Sequence, residues 1–533
     1  LVKNSLELTD NLRYNYDSFI SKKLGDASGF LCFFLDSKTL EASPGSCVLM
    51  LNYHDIDLHK IARAAIEQYG FDFTPTEPVI DEINALVPRQ LRSTVKDLRG
   101  LLWSSIDNAE SLDLDQLEYC VRGTSGEIIV KIAIADVDLF VPKKSQTDIY
   151  AARNGTSVYT GIDVFSLLPK RLSTELTSLL LDTDHDAIVI EFSVFPNGEI
   201  TPGAIYQAFI RNKAKLIYEE IGDWIEGKTG VPVSVERLPG LKEQLELQDE
   251  AAKRLNKSRV EQGSLEFDTI EAKPLIREER VIGLVIQEKN RARYIIENFM
   301  IAANVTMSQF LKKAQIPMIQ RVVRVPKNWQ GIVGVAAACL ETLPLQPDAK
   351  ALAQFLHKRK IVDPEKFSDL SLAIVKLLGP GEYMMLRSQG SSIGHFGLAV
   401  MDYTHGTAPN RRYVDVIIQR LLKAVLEKQL CPYSEDELID YAARCTDRDK
   451  AAKKVERFMR KAAAAVLLSG RIGEFFDAIV TGASDKGTYA RLVTPPVEGR
   501  IMRGEKGLVV GQKIRVRLIS MNPYKGQIDF EKG

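Results

Sequence analysis

The chain has 533 residues, of which 45% are hydrophobic and 26% are charged, a composition typical of a globular protein with about two to four domains. Its 70 basic residues are matched by 70 acidic residues, so no overall field attracts a nucleic acid, and such a partner would need a local basic channel. No apolar run is as long as a membrane span and no signal-peptide core is present, so we expect no membrane segment.

The cysteines bear on metal binding and on the cellular compartment. All six are scattered along the chain. None forms a CxxC pair or a Cys/His ligand spacing, so the sequence predicts no zinc site. Scattered cysteines without paired spacings are typical of proteins in a reducing compartment, and we expect a cytoplasmic protein.

Residues 1–92 predict a small α/β accessory domain. Two short apolar segments are typical of buried strands: residues 29–35 and 47–51. Asp55 is a candidate cap for a helix that runs through Gln68 and ends at Gly70, and a second short helix follows Pro78. A winged helix-turn-helix fits this pattern, and a generic packing domain fits it equally well.

Residues 93–465 have no convincing linker and predict one large domain. Strands are expected over 127–134 and 187–195, with a hairpin turn at Asn197-Gly198 after the second. Amphipathic helices are expected farther along the chain, over residues 292–313, 415–428 and 450–469. Because strands come first and helices later, the fold class predicted is α+β, a mixed sheet with surrounding helices.

Residues 466–533 predict a separate β-domain. Short apolar segments divided by glycines are typical strands: residues 478–482, 487–492, 507–510 and 513–518. Their lengths and spacing fit a five-stranded OB barrel of about 65 residues.

An acidic segment between Ser105 and Cys120 is the first candidate site. Asp113 and Asp115 are two residues apart, so an extended backbone would point both side chains to one face, with Asp107 six residues earlier. Carboxylates that converge without a nearby cation repel each other, and a divalent ion such as magnesium or manganese would remove the conflict. A solvated acidic turn explains the segment alone equally well.

Other motifs have two interpretations each. Arg411 and Arg412 precede a helix, where an arginine fork suits phosphate, although a structural ion pair is the better explanation of that motif alone. Glu297 lies within an otherwise apolar helix, where it is either functional or a satisfied buried polar group. Three aromatic residues near basic ones can stack on bases, although core packing is favoured for each taken alone: Tyr159, Tyr218 and Phe267.

Seven sequence blocks, taken in order, carry a family resemblance. They lie at residues 105–117, 158–169, 214–218, 263–267, 296–304, 395–399 and 403–413. Their motifs, such as A-K-L-I-Y and H-F-G-L-A, resemble those of the ribonuclease II / ribonuclease R family, whose catalytic module is the RNB domain. The match spans residues 93–465, and the barrel at 466–533 resembles the S1-type OB domain of that family.

The resemblance implies a hydrolytic, processive 3′→5′ exoribonuclease. Such an enzyme requires magnesium, for which manganese is a substitute, and releases nucleoside 5′-monophosphates from single-stranded RNA with a free 3′ end. The resemblance also implies a monomer. Two alternatives stay open: an RNA-binding protein that has lost catalysis, and a scaffold within an RNA-processing complex.

The resemblance also implies roles for individual residues. Asp107, Asp113 and Asp115 match the metal-site aspartates, of which Asp115 is the one the family depends on most, and Arg411 matches the arginine that holds the scissile phosphate. Seven further residues are implied RNA contacts. Tyr159 and Phe267 clamp the bases, Tyr218 and Glu297 hold the terminal nucleotides, Arg412 flanks the phosphate site, and Tyr489 and Arg515 of the barrel guide the strand. Glu456 is a weaker match near the site.

The sequence departs from the family pattern at the fourth metal position. Gln116 stands where the family has an aspartate, and an amide oxygen can ligate a metal but brings no charge. We therefore expect weaker metal binding or a shifted metal preference, with activity retained. Asn410 and Ala408 also depart from the motif beside Arg411. Residues 1–92 are too few for the two cold-shock domains of longer relatives, which predicts a more open channel that favours duplex-containing RNA.

Overall fold

The structure, a computed structural model, describes residues 56–87, 95–268, 272–277, 280–286, 289–484 and 487–533. The two predicted N-terminal strands and Asp55 lie outside these residues. Two short helices begin the described part: α1 (Leu58–Gln68) and α2 (Glu77–Asn84). The predicted cap of α1 is wrong, because the Asp57 side chain accepts the hydrogen bond from the backbone amide of Lys60, at 3.0 Å.

A mixed six-stranded sheet with the order β1-β8-β2-β3-β4-β7 forms the centre of the large domain. Its strands are β1 (Lys96–Asp97), β2 (Trp103–Asp107), β3 (Gln116–Arg122), β4 (Ile128–Ala135), β7 (Asp184–Val194) and β8 (Ile200–Ile217), while β5 (Val158–Tyr159) and β6 (Val164–Phe165) form a separate hairpin. The predicted turn at Asn197-Gly198 joins β7 to β8, with Gly198 at a φ of +81°. Strand β8 pairs with β7 along its first part and with β2 along its last part, so the sheet curls back on itself.

Helices cover the sheet and extend it with smaller lobes. They are α3 (Gln146–Asn154), α4 (Tyr218–Ile225), α5 (Val233–Glu236), α6 (Leu241–Gln262), α7 (Arg291–Lys313), α8 (Trp329–Ala338), α9 (Ala349–Val362) and α10 (Pro364–Leu378). Two further strand pairs lie among them: β9 (Ala272–Arg277) with β10 (Arg280–Ile286), and β11 (Met318–Val322) with β12 (Glu382–Leu386). Aliphatic side chains of α7 pack on the sheet, where Phe299 meets Phe192 of β7 edge to face in the main core.

Two helices close the large domain: α11 (Tyr413–Leu426) and α12 (Glu435–Leu467). The predicted start of α12 at Lys450 is wrong by more than three turns, because the helix begins at a capping box formed by Ser434 and Glu437. Apolar residues of α12 pack against α1, and its last turn packs against the core of the C-terminal barrel. The helix therefore connects three parts of the molecule.

The C-terminal domain is a closed five-stranded barrel, as predicted. Its strands are β13 (Phe475–Ser484), β14 (Gly487–Leu492), β15 (Glu498–Arg503), β16 (Lys513–Asn522) and β17 (Gln527–Lys532). The predicted strand at 507–510 is wrong: this segment is a loop between glycines at positive φ, and only its Leu508 reaches the core. The fold class α+β is confirmed, and no helix of the described residues is long and apolar enough to span a membrane.

Candidate active site

The acidic segment forms one end of a small pocket. Asp107 is the last residue of β2 and Gln116 is the first of β3, and the loop between them carries the other two aspartates. Because β2 runs parallel to β8 and Asp107 pairs with Ile217, Tyr218 begins α4 at the same edge of the sheet. Seven of the predicted site residues line this pocket, which has a volume of about 240 Å³: Asp107, Asp113, Asp115, Gln116, Tyr159, Tyr218 and Arg411.

Hydrogen bonds hold the acidic loop in place. One oxygen of Asp107 accepts from the backbone amide of Asn108 at 2.7 Å and from the hydroxyl of Ser111 at 2.6 Å. The ammonium of Lys215, on the adjacent strand β8, donates to the carbonyl of Ser111 at 2.7 Å and to that of Ala109 at 3.3 Å. Lys215 thus fixes the loop through its backbone, a role that the sequence pattern alone does not reveal.

Asp115 joins the acidic loop to the arginine segment. Its two oxygens accept from the backbone amide of Asn410 at 2.9 Å and from Nε of Arg411 at 3.1 Å. The Asp115 side chain is only 2% exposed, whereas that of Arg411 is 47% exposed. Arg411 therefore stays oriented by a buried carboxylate while part of its guanidinium faces the pocket, where it can bind an anion.

Burial determines the electrostatics of the pocket. Burial raises the pKa of Asp115 to about 7, against the lowering effect of Arg411, and the neighbouring Asp113 adds to the rise. Burial also raises the pKa of Asp113, although Arg411 and a hydrogen bond from Tyr159 oppose it. A pocket of this kind gains from any cation that stabilises the charged carboxylates.

Tyr159 lies at the rim of the pocket and links it to α12. Its hydroxyl donates to Asp113 at 3.2 Å, and its backbone amide donates to the carboxylate of Glu456 at 3.3 Å. The hairpin of β5 is held beside the arginine segment, since the Ser157 amide donates to the carbonyl of Arg411 at 2.9 Å. The weakly matched Glu456 thus contacts Tyr159, and it does not line the pocket.

A larger cavity of about 1050 Å³ lies beside the pocket and contains Phe267 and Glu297. Tyr159 and Phe267, the implied base clamp, therefore lie in two different cavities. Arg293 is the one described residue that lines both cavities, and sequence reasoning missed it. Its position four residues before Glu297 on α7 is the only sequence signal, because one helical turn places the two on the same face.

Besides Glu456, three predicted RNA contacts lie outside both cavities. Arg412 pairs with the fully buried Asp415 at 2.8 Å, which agrees with the structural interpretation of that arginine. Tyr489 pairs with Gly482 of β13, whereas Arg515 pairs with Asp477 of the same strand. These two barrel residues are thus five strand positions apart, about 17 Å, and do not form one contact patch.

The pocket is suited to a divalent ion by its chemistry. Its donors are three carboxylates and the amide of Gln116, all hard oxygen ligands of the kind that magnesium and manganese prefer. Among the residues that the structure describes, no three Asp, Glu, His or Cys side chains stand in an arrangement that could hold a metal. Ligation would therefore require these donors to close around the ion.

A buried carboxylate pocket with an arginine at its rim and aromatic side chains around it, on a chain that ends in an OB barrel, is typical of a hydrolase that cleaves nucleic-acid phosphodiesters. Comparison with known proteins identifies the family. A profile of the RNB domain matches residues 95–428, and a profile of the RNase II-type exonuclease C-terminal S1 domain matches residues 474–532. The chain belongs to the RNB domain family, which confirms the resemblance to ribonuclease II / ribonuclease R, a family of metal-dependent 3′→5′ exoribonucleases.

Individual relatives agree with this assignment. Ribonuclease R of Thermotoga maritima is 27% identical over 501 residues, which cover 85% of this chain and 67% of the relative. Ribonuclease R of Escherichia coli is 28% identical over 488 residues, and the chain spans only 58% of its length. The structure of Mycoplasma genitalium RNase R in complex with ribose-methylated single-stranded RNA matches 90% of this chain and 78% of that one, with a TM-score of 0.80 at 23% identity, and this likeness shows the shared fold.

Proposed function

We propose that this protein is a hydrolytic, processive 3′→5′ exoribonuclease that degrades single-stranded RNA to nucleoside 5′-monophosphates. The observation that carries the proposal is the pocket in which Asp107, Asp113 and Asp115 meet Arg411. Relatives named ribonuclease R, and the family to which the chain belongs, support the same activity. The boundaries of the three predicted domains stay predictions, and the two matched segments lie within the second and third of them.

We infer a part of the reaction for each group from its position in the pocket. Water attacks the phosphorus of the last phosphodiester, the P–O3′ bond breaks, and the terminal nucleotide leaves as a 5′-monophosphate while the remaining RNA keeps a 3′-hydroxyl. Arg411, held by Asp115, binds the scissile phosphate and stabilises the charge that develops in the transition state. Tyr159 and Tyr218 flank the pocket, where their rings support the last bases and exclude water.

The three aspartates and Gln116 would hold magnesium, or manganese in its place. A bound ion of this kind activates water and neutralises charge on the phosphate oxygens. The aspartates are already gathered in one pocket by β2, β3 and the hydrogen bonds of the loop between them. The chain's own contribution is therefore to hold these carboxylates in one pocket, from which they would close around the ion.

Replacement of Gln116 by aspartate tests the unusual ligand. We expect the variant to reach half-maximal activity at a magnesium concentration several-fold lower, because a fourth carboxylate adds the charge that the amide lacks. Rates of RNA hydrolysis are measured over a magnesium titration for the parent and the variant. Superimposable titration curves would show that residue 116 does not contribute to metal binding.

The barrel is proposed to deliver single-stranded RNA to the large domain. Arg515 is exposed on β16 and stacks on Phe475, an exposed aromatic residue that the sequence reasoning did not select, at 5.3 Å from its ring centroid. Tyr489 has Lys461 of α12 over its ring at 5.8 Å. Each pair combines a flat ring with a cation, an arrangement that holds a base and a phosphate without reading sequence.

The activity is tested with RNA labelled at its 5′ end and incubated with the protein and magnesium. A ladder that shortens from the 3′ end, together with released 5′-monophosphates, is the expected result. A shifted complex with intact RNA would instead support the binding-protein alternative, and no interaction with RNA would contradict the proposal. A DNA strand of the same sequence serves as control, since a 2′-hydroxyl contact predicts slower cleavage of DNA.

A further inference from the structure

The junction of the two cavities is occupied by a single charged side chain. Arg293 projects from the first turns of α7 and lines both the catalytic pocket and the 1050 Å³ cavity that contains Phe267. If the proposed function holds, RNA that extends from the pocket into the large cavity must pass this guanidinium. We propose that Arg293 binds a backbone phosphate of the RNA at the junction, and that Glu219 occupies its phosphate-binding edge until RNA displaces it.

Three contacts fix the position of Arg293. Its Nη2 donates to Oδ1 of Asn108 at 2.9 Å and to Oε1 of Glu219 at 2.9 Å. The guanidinium also lies 4.2 Å from the ring centroid of Tyr218, which lines the catalytic pocket. Stacking fixes the plane of the guanidinium, and a planar donor group with a fixed orientation is suited to a phosphate.

Glu219 is a displaceable partner. Its side chain is 61% exposed and belongs to the first turn of α4, whereas Arg293 is 21% exposed. An ion pair with so exposed a carboxylate contributes little to stability, so its loss costs the free protein little. A phosphodiester presents the same negative charge on two oxygens, and it arrives held by the other contacts of the RNA, so it competes effectively for the same donors.

A positive charge at the junction of the two cavities has an electrostatic role. The catalytic pocket carries three aspartates, which repel an incoming phosphate, and the one other arginine among its described lining residues is already bonded to Asp115. A second guanidinium at the pocket opening offsets this repulsion before the RNA reaches Arg411. Arg293 also donates to Asn108, the residue that directly follows Asp107 in the chain.

The test compares four full-length variants with the parent: Arg293→Gln, Glu219→Gln, their double variant, and Glu220→Gln. Glu220 is the matched control, because it is also exposed on the same helical turn and makes no ion pair with a described residue. Binding of a 5′-fluorescein-labelled 12-nucleotide RNA is measured by anisotropy in EDTA, which prevents turnover, at several salt concentrations. Hydrolysis rates with magnesium provide a separate readout.

We expect Arg293→Gln to raise Kd about tenfold and to reduce the slope of log K against log salt by about 0.7, as for one lost phosphate contact on a single strand. Glu219→Gln should lower Kd about threefold, beyond any change in Glu220→Gln, and should have no effect once Arg293 is replaced. Equal affinities of Glu219→Gln and Glu220→Gln would overturn the inference. Failure of the parent itself to bind and shorten RNA would instead overturn the proposed function on which the inference rests.

Discussion

Replacement of Asp115 by asparagine is expected to lower the rate of RNA hydrolysis by about 10²–10³-fold or more. The two oxygens of the carboxylate accept hydrogen bonds from Nε of Arg411 and from the amide of Asn410. Its loss therefore removes a metal donor and releases the arginine that binds the phosphate. An asparagine keeps one acceptor for Asn410, but its amide group would face Arg411 as a second donor. The variant should fold, because a buried neutral amide costs less than a buried carboxylate.

The measurement is single-turnover hydrolysis of 5′-labelled RNA at saturating enzyme, with anisotropy to confirm that RNA still binds. Asp223→Asn is the matched control, since Asp223 is a half-exposed aspartate that pairs only weakly with Lys228, at 3.4 Å. The control should retain the rate of the parent. A rate for Asp115→Asn within tenfold of the parent would remove Asp115 from the catalytic machinery.

The parts of the fold that sequence predicts well are those with uninterrupted periodic signals. Strand β4 and helix α7 have such patterns, and both were predicted within one or two residues of their ends. The first half of α12 was missed because charged residues at 447–450 interrupt its apolar period, although the capping box at Ser434 marks its true start.

The missed barrel strand β15 illustrates a different reason. Its sequence, Glu498 to Arg503, contains Gly499, which lowers the local strand signal. In the barrel a Cβ at this glycine would come within 2.4 Å of the Phe530 ring, so the tight packing requires glycine at this position. The same glycine weakens the strand signal in the sequence. Such a requirement comes from tertiary structure and is not visible in the local sequence.

The candidate site, like the fold, has residues that the sequence predicts and residues that it does not. Asp107, Asp113 and Asp115 were predicted together because they are close in the chain, and the family motif linked them to Arg411. Arg293 and Lys215 were not selected, since each acts through contacts with the acidic loop that only the folded chain creates. The motif also implied that Arg412 contacts RNA, whereas its partner in the structure is the buried Asp415.

The arginine segment depends in turn on a buried ionic network behind it. Helix α11 begins directly after Arg412, and its Arg420 side chain is only 4% exposed. Arg420 donates to Asp138 at 2.7 Å and to the hydroxyl of Tyr433 at 2.7 Å, and it forms an ion pair with Asp148 at 2.8 Å. The network ties α11 to α3 and to the segment that precedes α3, and so supports the turn that carries Arg411.

Replacement of Arg420 by methionine should therefore lower the free energy of unfolding by about 3–5 kcal/mol. Methionine fills much of the same volume, but it leaves the buried Asp148 without its one ion pair among the described residues. Urea unfolding of the full-length protein, followed by circular dichroism, measures the effect as a shift of the midpoint.

Arg122→Met is the matched control, because Arg122 pairs with Glu250 on the surface, where the side chains are 52% and 40% exposed. A surface pair of this kind is worth about 0–1 kcal/mol, so the two methionine variants should differ clearly in stability. If the cost at Arg420 arises from an unpaired buried charge, adding Asp148→Asn to Arg420→Met should recover part of the loss. Equal losses in Arg420→Met and Arg122→Met would show that the network does not stabilise the fold, and the orientation of Arg411 would then depend on Asp115 and its own turn alone.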